Sequence, residues 1–318
     1  MQAIVVERFG EPEELRVREI PDPVPGPGEV VVQMEAAGVN PVETYQRAGT
    51  YALLPELPYT PGTDGAGIVS CVGDGVTRYR TGDRVYVYAR RGGTYAGALR
   101  AHESEVFPLP DDVSFEAGAA LGIPYATAYH ALLDLTPARP GDVLLVHGAS
   151  GGVGTALLQF GQLRGMRVLG TSSTAQGRAY ILREGAEAAF DHEDDEGILG
   201  ATDGKGADVI VEMLANRNLG RDFRLLGPDG VVVVVGSRGE AQVNARDLMG
   251  RSGTVRAFTL TTATDDEIRR IHLGVAAALR APFVRPQVGR TYPLAEAAEA
   301  HRAMLAGGLQ GKIVIRPR

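Results

Sequence analysis

The residues best placed to do chemistry are Gly148-Ala149-Ser150-Gly151-Gly152-Val153-Gly154. They follow an apolar run at 143–146 and open a stretch with Val153, Ala156, Leu157 and Phe160 on one helix face. Glycines let the backbone approach a pyrophosphate closely. The helix start adds unpaired N–H groups and the positive end of its dipole. Strand, glycine loop and helix in that order are the context that dinucleotide binding requires. The other reading is a tight turn with no ligand. The next strand of such a unit ends, about 20 residues on, in an acid that binds the ribose 2′-hydroxyl. Here the stretch is Val168-Leu169-Gly170-Thr171-Ser172-Ser173-Thr174, without Asp or Glu. Ser172 and Ser173 offer hydroxyls, and nothing there repels a 2′-phosphate, which predicts NADPH. Arg178 either faces that phosphate or is a solvated helix residue; both readings stand.

The single cysteine excludes an internal disulfide and a cysteine-rich zinc site, and it suits a reducing compartment. Cys71, inside Ile68-Val69-Ser70-Cys71-Val72, reads as a small buried filler. His102, His130 and His147 form no ligand spacing with an acid.

The loop needs a framework, and the chain supplies two textures. Alternating residues at 15–20, a Pro/Gly-rich turn at 21–28, and apolar runs at 29–36, 67–72, 83–88 and 98–101 predict short antiparallel strands. Residues 117–133 are helical in composition. Strand-like runs then follow at 143–146, 167–170, 207–213 and 231–235, with helical or loop spacers between them, which predicts a doubly wound parallel sheet. A strand at 254–260, a helix opened by Thr264-Asp265-Asp266-Glu267, a second helix carrying Leu294 to Leu305, and a terminal strand at 312–315 complete the chain.

At 318 residues the length suits two domains. A hydrophobic share of 44% and a charged share of 22% exclude a wholly disordered chain. No 18-residue apolar window predicts a membrane span. The N-terminal residues read as a first strand and not a signal peptide. A net charge of −7 disfavours nucleic acid as the main partner.

Two stretches carry a resemblance: Ala37-Gly38-Val39-Asn40-Pro41-Val42-Glu43-Thr44-Tyr45 and Leu57-Pro58-Tyr59-Thr60-Pro61-Gly62-Thr63-Asp64-Gly65-Ala66-Gly67. They resemble the medium-chain dehydrogenase/reductase superfamily. Leu145-Val146-His147 before the glycine loop, Glu212 to Asn216, Val235 to Gly239 and Glu299-Ala300-His301 are similar to its zeta-crystallin-like NADPH:quinone oxidoreductases. The resemblance implies an α/β chain: a GroES-like β domain at 1–116 and 262–318, a Rossmann domain at 117–261, and an active site in the cleft between them. It implies zinc-independent hydride transfer from NADPH to a quinone. An activated alkene such as an enone is the alternative substrate, and RNA binding by a crystallin-like protein is a third reading. Zinc members carry Cys and His where this chain has Asn40 and Thr63, neither a usual zinc ligand.

By the same resemblance Asn40 and Tyr45 line the substrate and nicotinamide pocket. Ser150, Gly151, Gly152 and Val153 hold the pyrophosphate, and Ser172 and Ser173 stand at the 2′-phosphate. His192 lies beside the adenosine. Thr127, Asn218, Val235, Gly236, Ser237, Arg238, Phe258, Thr259 and Leu260 complete the cofactor contacts. Gly177 stands where some members carry a phosphate-pairing lysine. His301 reads as a satisfied structural histidine. The strand at 254–260 resembles an edge strand that pairs across a two-fold axis, implying a homodimer or homotetramer in the cytoplasm.

Overall fold

The computed structural model describes all 318 residues. In chain order the strands are β1 (Gln2–Val5), β2 (Arg16–Glu19), β3 (Glu29–Val39), β4 (Asp64–Val72), β5 (Arg84–Tyr88), β6 (Ala98–His102), β7 (Val106–Pro108), β8 (Val143–Val146), β9 (Arg167–Thr171), β10 (Ala188–Phe190), β11 (Ala207–Glu212), β12 (Leu226–Val234), β13 (Thr254–Ala257), β14 (Val288–Pro293) and β15 (Lys312–Arg316). The helices are α1 (Pro41–Ala48), α2 (Phe115–Gly118), α3 (Gly122–Tyr129), α4 (Gly152–Leu163), α5 (Ala175–Arg183), α6 (Asp195–Ala201), α7 (Ala215–Leu225), α8 (Ala245–Met249), α9 (Asp265–Ala278) and α10 (Ala297–Ala306).

Two compact units result. One comprises Met1–Ile123, Asp265–Ala277 and Arg285–Arg318; the other comprises Pro124–Thr264 and Ala278–Val284. The first boundary falls at 123 and not at 116. The reason is local: the Ile123 N–H donates to Asp64 Oδ1 at 2.7 Å, which keeps α2 and the turn after it with the first unit. The second boundary falls at 264 and not at 261.

The first unit is built on a seven-stranded sheet in the order β14-β15-β3-β4-β5-β7, with β6 also paired to β3. Val30, Val32, Met34, Val69, Val85, Val87, Leu99 and Val106 form a core there. Strands β3, β4, β5, β6 and β7 pair antiparallel. The second unit carries a six-stranded, all-parallel sheet in the order β10-β9-β8-β11-β12-β13. Its central strands are near-continuous apolar runs, as a sheet covered on both faces demands. Val143, Leu145, Leu169, Ile210, Phe223, Leu226 and Val232 pack into one core. The strand order reverses between β8 and β11, the position where such sheets bind ligands at the strands' carboxyl ends.

The helical stretch at 117–133 takes the form of α2, α3 and a π turn at His130–Asp134. Two expectations are corrected. The strand expected at 254–260 ends at Ala257; the Thr259 hydroxyl accepts the Thr261 N–H and caps a short 3-10 turn at Leu260–Thr262. Cys71 is exposed, because the carboxyl end of β4 runs out of the core beyond Val69.

Candidate functional site

The glycine loop leaves β8 with Gly148 at φ +60°, a conformation that favours glycine. Ala149 N–H donates to Thr171 O at 3.0 Å, tying the loop to the end of β9. A Cβ on Gly154 would lie 2.5 Å from Ala149 Cα, so only glycine lets α4 begin this close to the loop. The N-cap of α4 is Gly151, with no side-chain cap. Its first N–H groups are therefore left for an anion. Ser150 and Ser172 are buried side by side, their hydroxyls 3.5 Å apart. Ser173 is exposed at the strand end.

Arg178 is half-buried on α5 at this strand end. Its Nη1 donates to Ser172 O at 2.9 Å and pairs with Asp191 Oδ2 at 3.0 Å. The strand end, acid-free in sequence, thus has Asp191 brought near it from the end of β10, already matched by a guanidinium. A Cβ on Gly177 would sit 2.1 Å from Ser172 Oγ, so Ser172 occupies the space a side chain at 177 would need.

On the other side of the strand-order reversal, Asn218 Nδ2 donates to Glu212 Oε1 at 3.1 Å. Val235 N–H donates to Glu212 O, and Gly236 O accepts Ala215 N–H, both at 2.9 Å. Ser237 and Arg238 are exposed, the Arg238 N–H bonded to Asn216 Oδ1 at 3.0 Å. Thr127 is buried on α3. Phe258 stands edge-on to His130 at 4.7 Å, Thr259 is exposed and Leu260 is buried. All these residues, with Ser150 to Val153, Ser172, Ser173 and His192, belong to the second unit.

Beneath them runs a polar chain that sequence reading missed. His147 Nε2 meets Asp222 Oδ1 at 2.9 Å, its Nδ1 meets Thr171 Oγ1 at 3.2 Å, and that hydroxyl meets His192 Nδ1 at 2.8 Å. Burial opposes a charge on His147, but the hydrogen bond and charge of Asp222 prevail and raise its pKa. Burial, with His147 nearby, lowers that of His192. The carboxyl of Glu212 is pushed up to about 7, chiefly by burial, with Asp222 adding to the effect and His147 opposing it.

Asn40 and Tyr45 belong to the first unit. Asn40 N-caps α1, and the Glu43 carboxylate reaches back to its N–H at 2.6 Å. The Asn40 amide is 2% exposed and fully engaged: Nδ2 donates to Glu43 and to Asp64 Oδ2, and Oδ1 accepts from Lys312 Nζ. That ammonium also pairs with Asp64 Oδ2 at 2.8 Å. Thr63 N–H and Tyr95 OH complete the shell of Glu43, at 2.9 and 3.1 Å. Burial raises the pKa of Glu43, against the pull of Lys312. The Asn40 side chain therefore fixes the helix bearing half-buried Tyr45, and offers no free group to a ligand. The donor set does not fit zinc: an amide that donates its N–H groups, a threonine, and a fixed ammonium that opposes a second cation. His301 is buried with Nε2 3.3 Å from Tyr95 OH, but its Nδ1 has no partner, so it is only half satisfied. Burial lowers its pKa to about 3.

Signals for some of this lay in the sequence. Glu43 stands three residues after Asn40, the spacing of a capping box. Lys312 and Asp64 lie 248 positions apart, and no local pattern joins them.

Residues 26–111 match the alcohol dehydrogenase GroES-like domain, and residues 152–273 match the zinc-binding dehydrogenase domain. A quinone oxidoreductase of Mus musculus is 43% identical over 99% of this chain and 97% of its own. The crystal structure of an Escherichia coli quinone oxidoreductase complexed with NADPH superposes with a TM-score of 0.90 at 29% identity, covering 100% of both chains. An NAD-dependent alcohol dehydrogenase structure gives a TM-score of 0.92 at 28% identity over 99% of both chains.

Proposed function

Because the chain belongs to the zeta-crystallin-like quinone oxidoreductases of the medium-chain dehydrogenase/reductase superfamily, we propose that it is an NADPH-dependent quinone reductase that works without zinc. The observation that carries the cofactor reading is the uncapped start of α4 behind a glycine loop, beside a strand end that presents serines and no unpaired acid. These residues fit a phosphorylated dinucleotide. The N–H groups at 152–154 take the pyrophosphate, and Ser150, Ser172 and Ser173 face the 2′-phosphate. His192 borders the adenosine. Thr127, Asn218, Val235 to Arg238 and Phe258 to Leu260 flank the nicotinamide half.

NADPH supplies a hydride, and the quinone takes that hydride and one solvent proton to become a hydroquinone. A quinone is already electrophilic, so placement and a few hydrogen-bond donors suffice without a Lewis acid. The residues bind, orient and exclude water; none needs to act as a nucleophile. The test is turnover of a panel of quinones and enones with NADPH and NADH. Quinone-dependent NADPH oxidation supports the reading, and turnover confined to enones overturns it.

Assembly follows from β13. It is an edge strand with all four residues exposed, and an open edge invites pairing with a second copy. A homodimer or homotetramer removes that edge; a monomer in light scattering contradicts it. The lone cysteine suits the cytoplasm. No helix is long and apolar enough to cross a membrane.

A further inference from the structure

Glu212 closes β11 at the carboxyl end of the parallel sheet and is completely buried. Its Oε1 accepts two hydrogen bonds, from the Leu214 N–H and from Asn218 Nδ2. Helix α7 begins at this point, and its N-cap, Leu214, has no side chain able to cap. Glu212 therefore accepts, from outside the helix, the N–H of the N-cap residue itself, the bond that the carboxylate of a capping box ordinarily makes. The start of α7 then carries a second loop. Ala215 N–H donates to Gly236 O at 2.9 Å, and Asn216 Oδ1 accepts the Arg238 N–H at 3.0 Å. A Cβ on Gly236 would lie 2.4 Å from Met213 O, so the two loops are in direct contact. One carboxylate thus anchors segment 213–218 and, through it, segment 235–238.

We propose that Glu212 is a positioning residue for the nicotinamide half of NADPH, acting through Leu214 and Asn218 on these two loops; this rests on the NADPH reading above. The surroundings add a signature. Oε2 of Glu212 and Oδ2 of Asp222 are buried with no hydrogen-bond partner. His147 Nε2 lies 2.9 Å from Asp222 Oδ1 and 3.7 Å from Glu212 Oε2. The titratable groups around Glu212 are His147, just past the end of β8, and Asp222 on α7, with His192 beyond Thr171; its neighbour on β12 is Val234. With its carboxyl near 7, Glu212 gains its charge within the neutral range. A charged acceptor holds N–H groups roughly twice as strongly as a neutral one. The loops are therefore held tightest above that pH.

The test compares the wild-type protein with Glu212→Ala and Glu212→Gln. NADPH binding is read from nicotinamide fluorescence between pH 6 and 8.5, beside 2′,5′-ADP, which carries the 2′-phosphate but no nicotinamide. Hydrogen exchange of segments 213–218 and 235–238 is measured without cofactor. Glu212→Ala should raise the NADPH Kd about tenfold or more, and leave that of 2′,5′-ADP within about twofold. Glu212→Gln keeps both acceptor bonds in neutral form. It should bind NADPH like the wild type at pH 6 and lack the extra tightening that the wild type gains above pH 7. Exchange in both segments should rise in Glu212→Ala and not in Glu212→Gln. The proposal is overturned if Glu212→Ala leaves NADPH binding unchanged, weakens both ligands equally, or leaves exchange unaltered. Should the wild type bind neither ligand, the NADPH reading fails, and exchange alone still decides whether Glu212 anchors the loops.

Discussion

Ser172→Asp restores the acid that NAD-specific Rossmann sites carry at this strand end. Ser172 is 4% exposed, and its hydroxyl lies 3.5 Å from that of Ser150 in the glycine loop. A carboxylate at 172 therefore enters the cradle for the anion. Two unit charges about 4 Å apart repel by roughly 4 kcal/mol at an effective dielectric near 20. Two features reduce this. Arg178 already donates to Ser172 O and can turn toward the new charge, and the α5 N-terminus next to it favours an anion. About 1–2 kcal/mol should remain, or about tenfold. We expect kcat/KM for NADPH to fall by about an order of magnitude and that for NADH to hold or rise, since the carboxylate can accept from the ribose 2′-hydroxyl. Steady-state kinetics with both cofactors at one fixed quinone concentration check it. Equal loss for both cofactors, with the thermal midpoint unchanged, refutes the reasoning.

Gly154→Ala drives a Cβ to within 2.5 Å of Ala149 Cα, which should cost about 1–3 kcal/mol of stability and raise the NADPH Kd at least about tenfold; calorimetry and a fluorescence titration read the two effects. Lys312→Met leaves Asp64, 0% exposed, without its ammonium and should lower stability by about 3–5 kcal/mol in denaturant unfolding. Adding Asp64→Asn should recover part of that loss, and strict additivity would show that the pair does not couple. Prolonged treatment with a strong chelator should leave activity intact; stoichiometric zinc lost together with activity contradicts the reading of Asn40 and Thr63.

The sequence made the nucleotide-binding half legible because its signals are local. The run Val143–Val146, the glycine loop and the face of Val153, Ala156, Leu157 and Phe160 fall on β8, the turn and α4. Where local and tertiary terms compete, reading failed. Residues 258–260 look strand-like, but the Thr259 hydroxyl caps a 3-10 turn there. Cys71 sits among apolar neighbours, yet on the part of β4 that leaves the core. The two buried polar clusters were illegible for a further reason. Asp64 meets Lys312, and His147 meets Asp222, only after the sheets form, and each residue type alone is ordinary on a surface. Asn40 was expected to touch a ligand on motif position; the structure spends its amide on Asp64, Glu43 and Lys312.

The central claim is reduction of a quinone by NADPH without metal. It is tested most directly by following NADPH oxidation at 340 nm and hydroquinone formation together, with metal-stripped protein and a panel of ortho- and para-quinones and enones, each repeated with NADH. The account predicts hydroquinone and NADP⁺ in equal amounts, a higher kcat/KM with NADPH than with NADH, and turnover that persists after stripping. Consumption of NADH in preference to NADPH, or turnover of enones with none of the quinones, would contradict it.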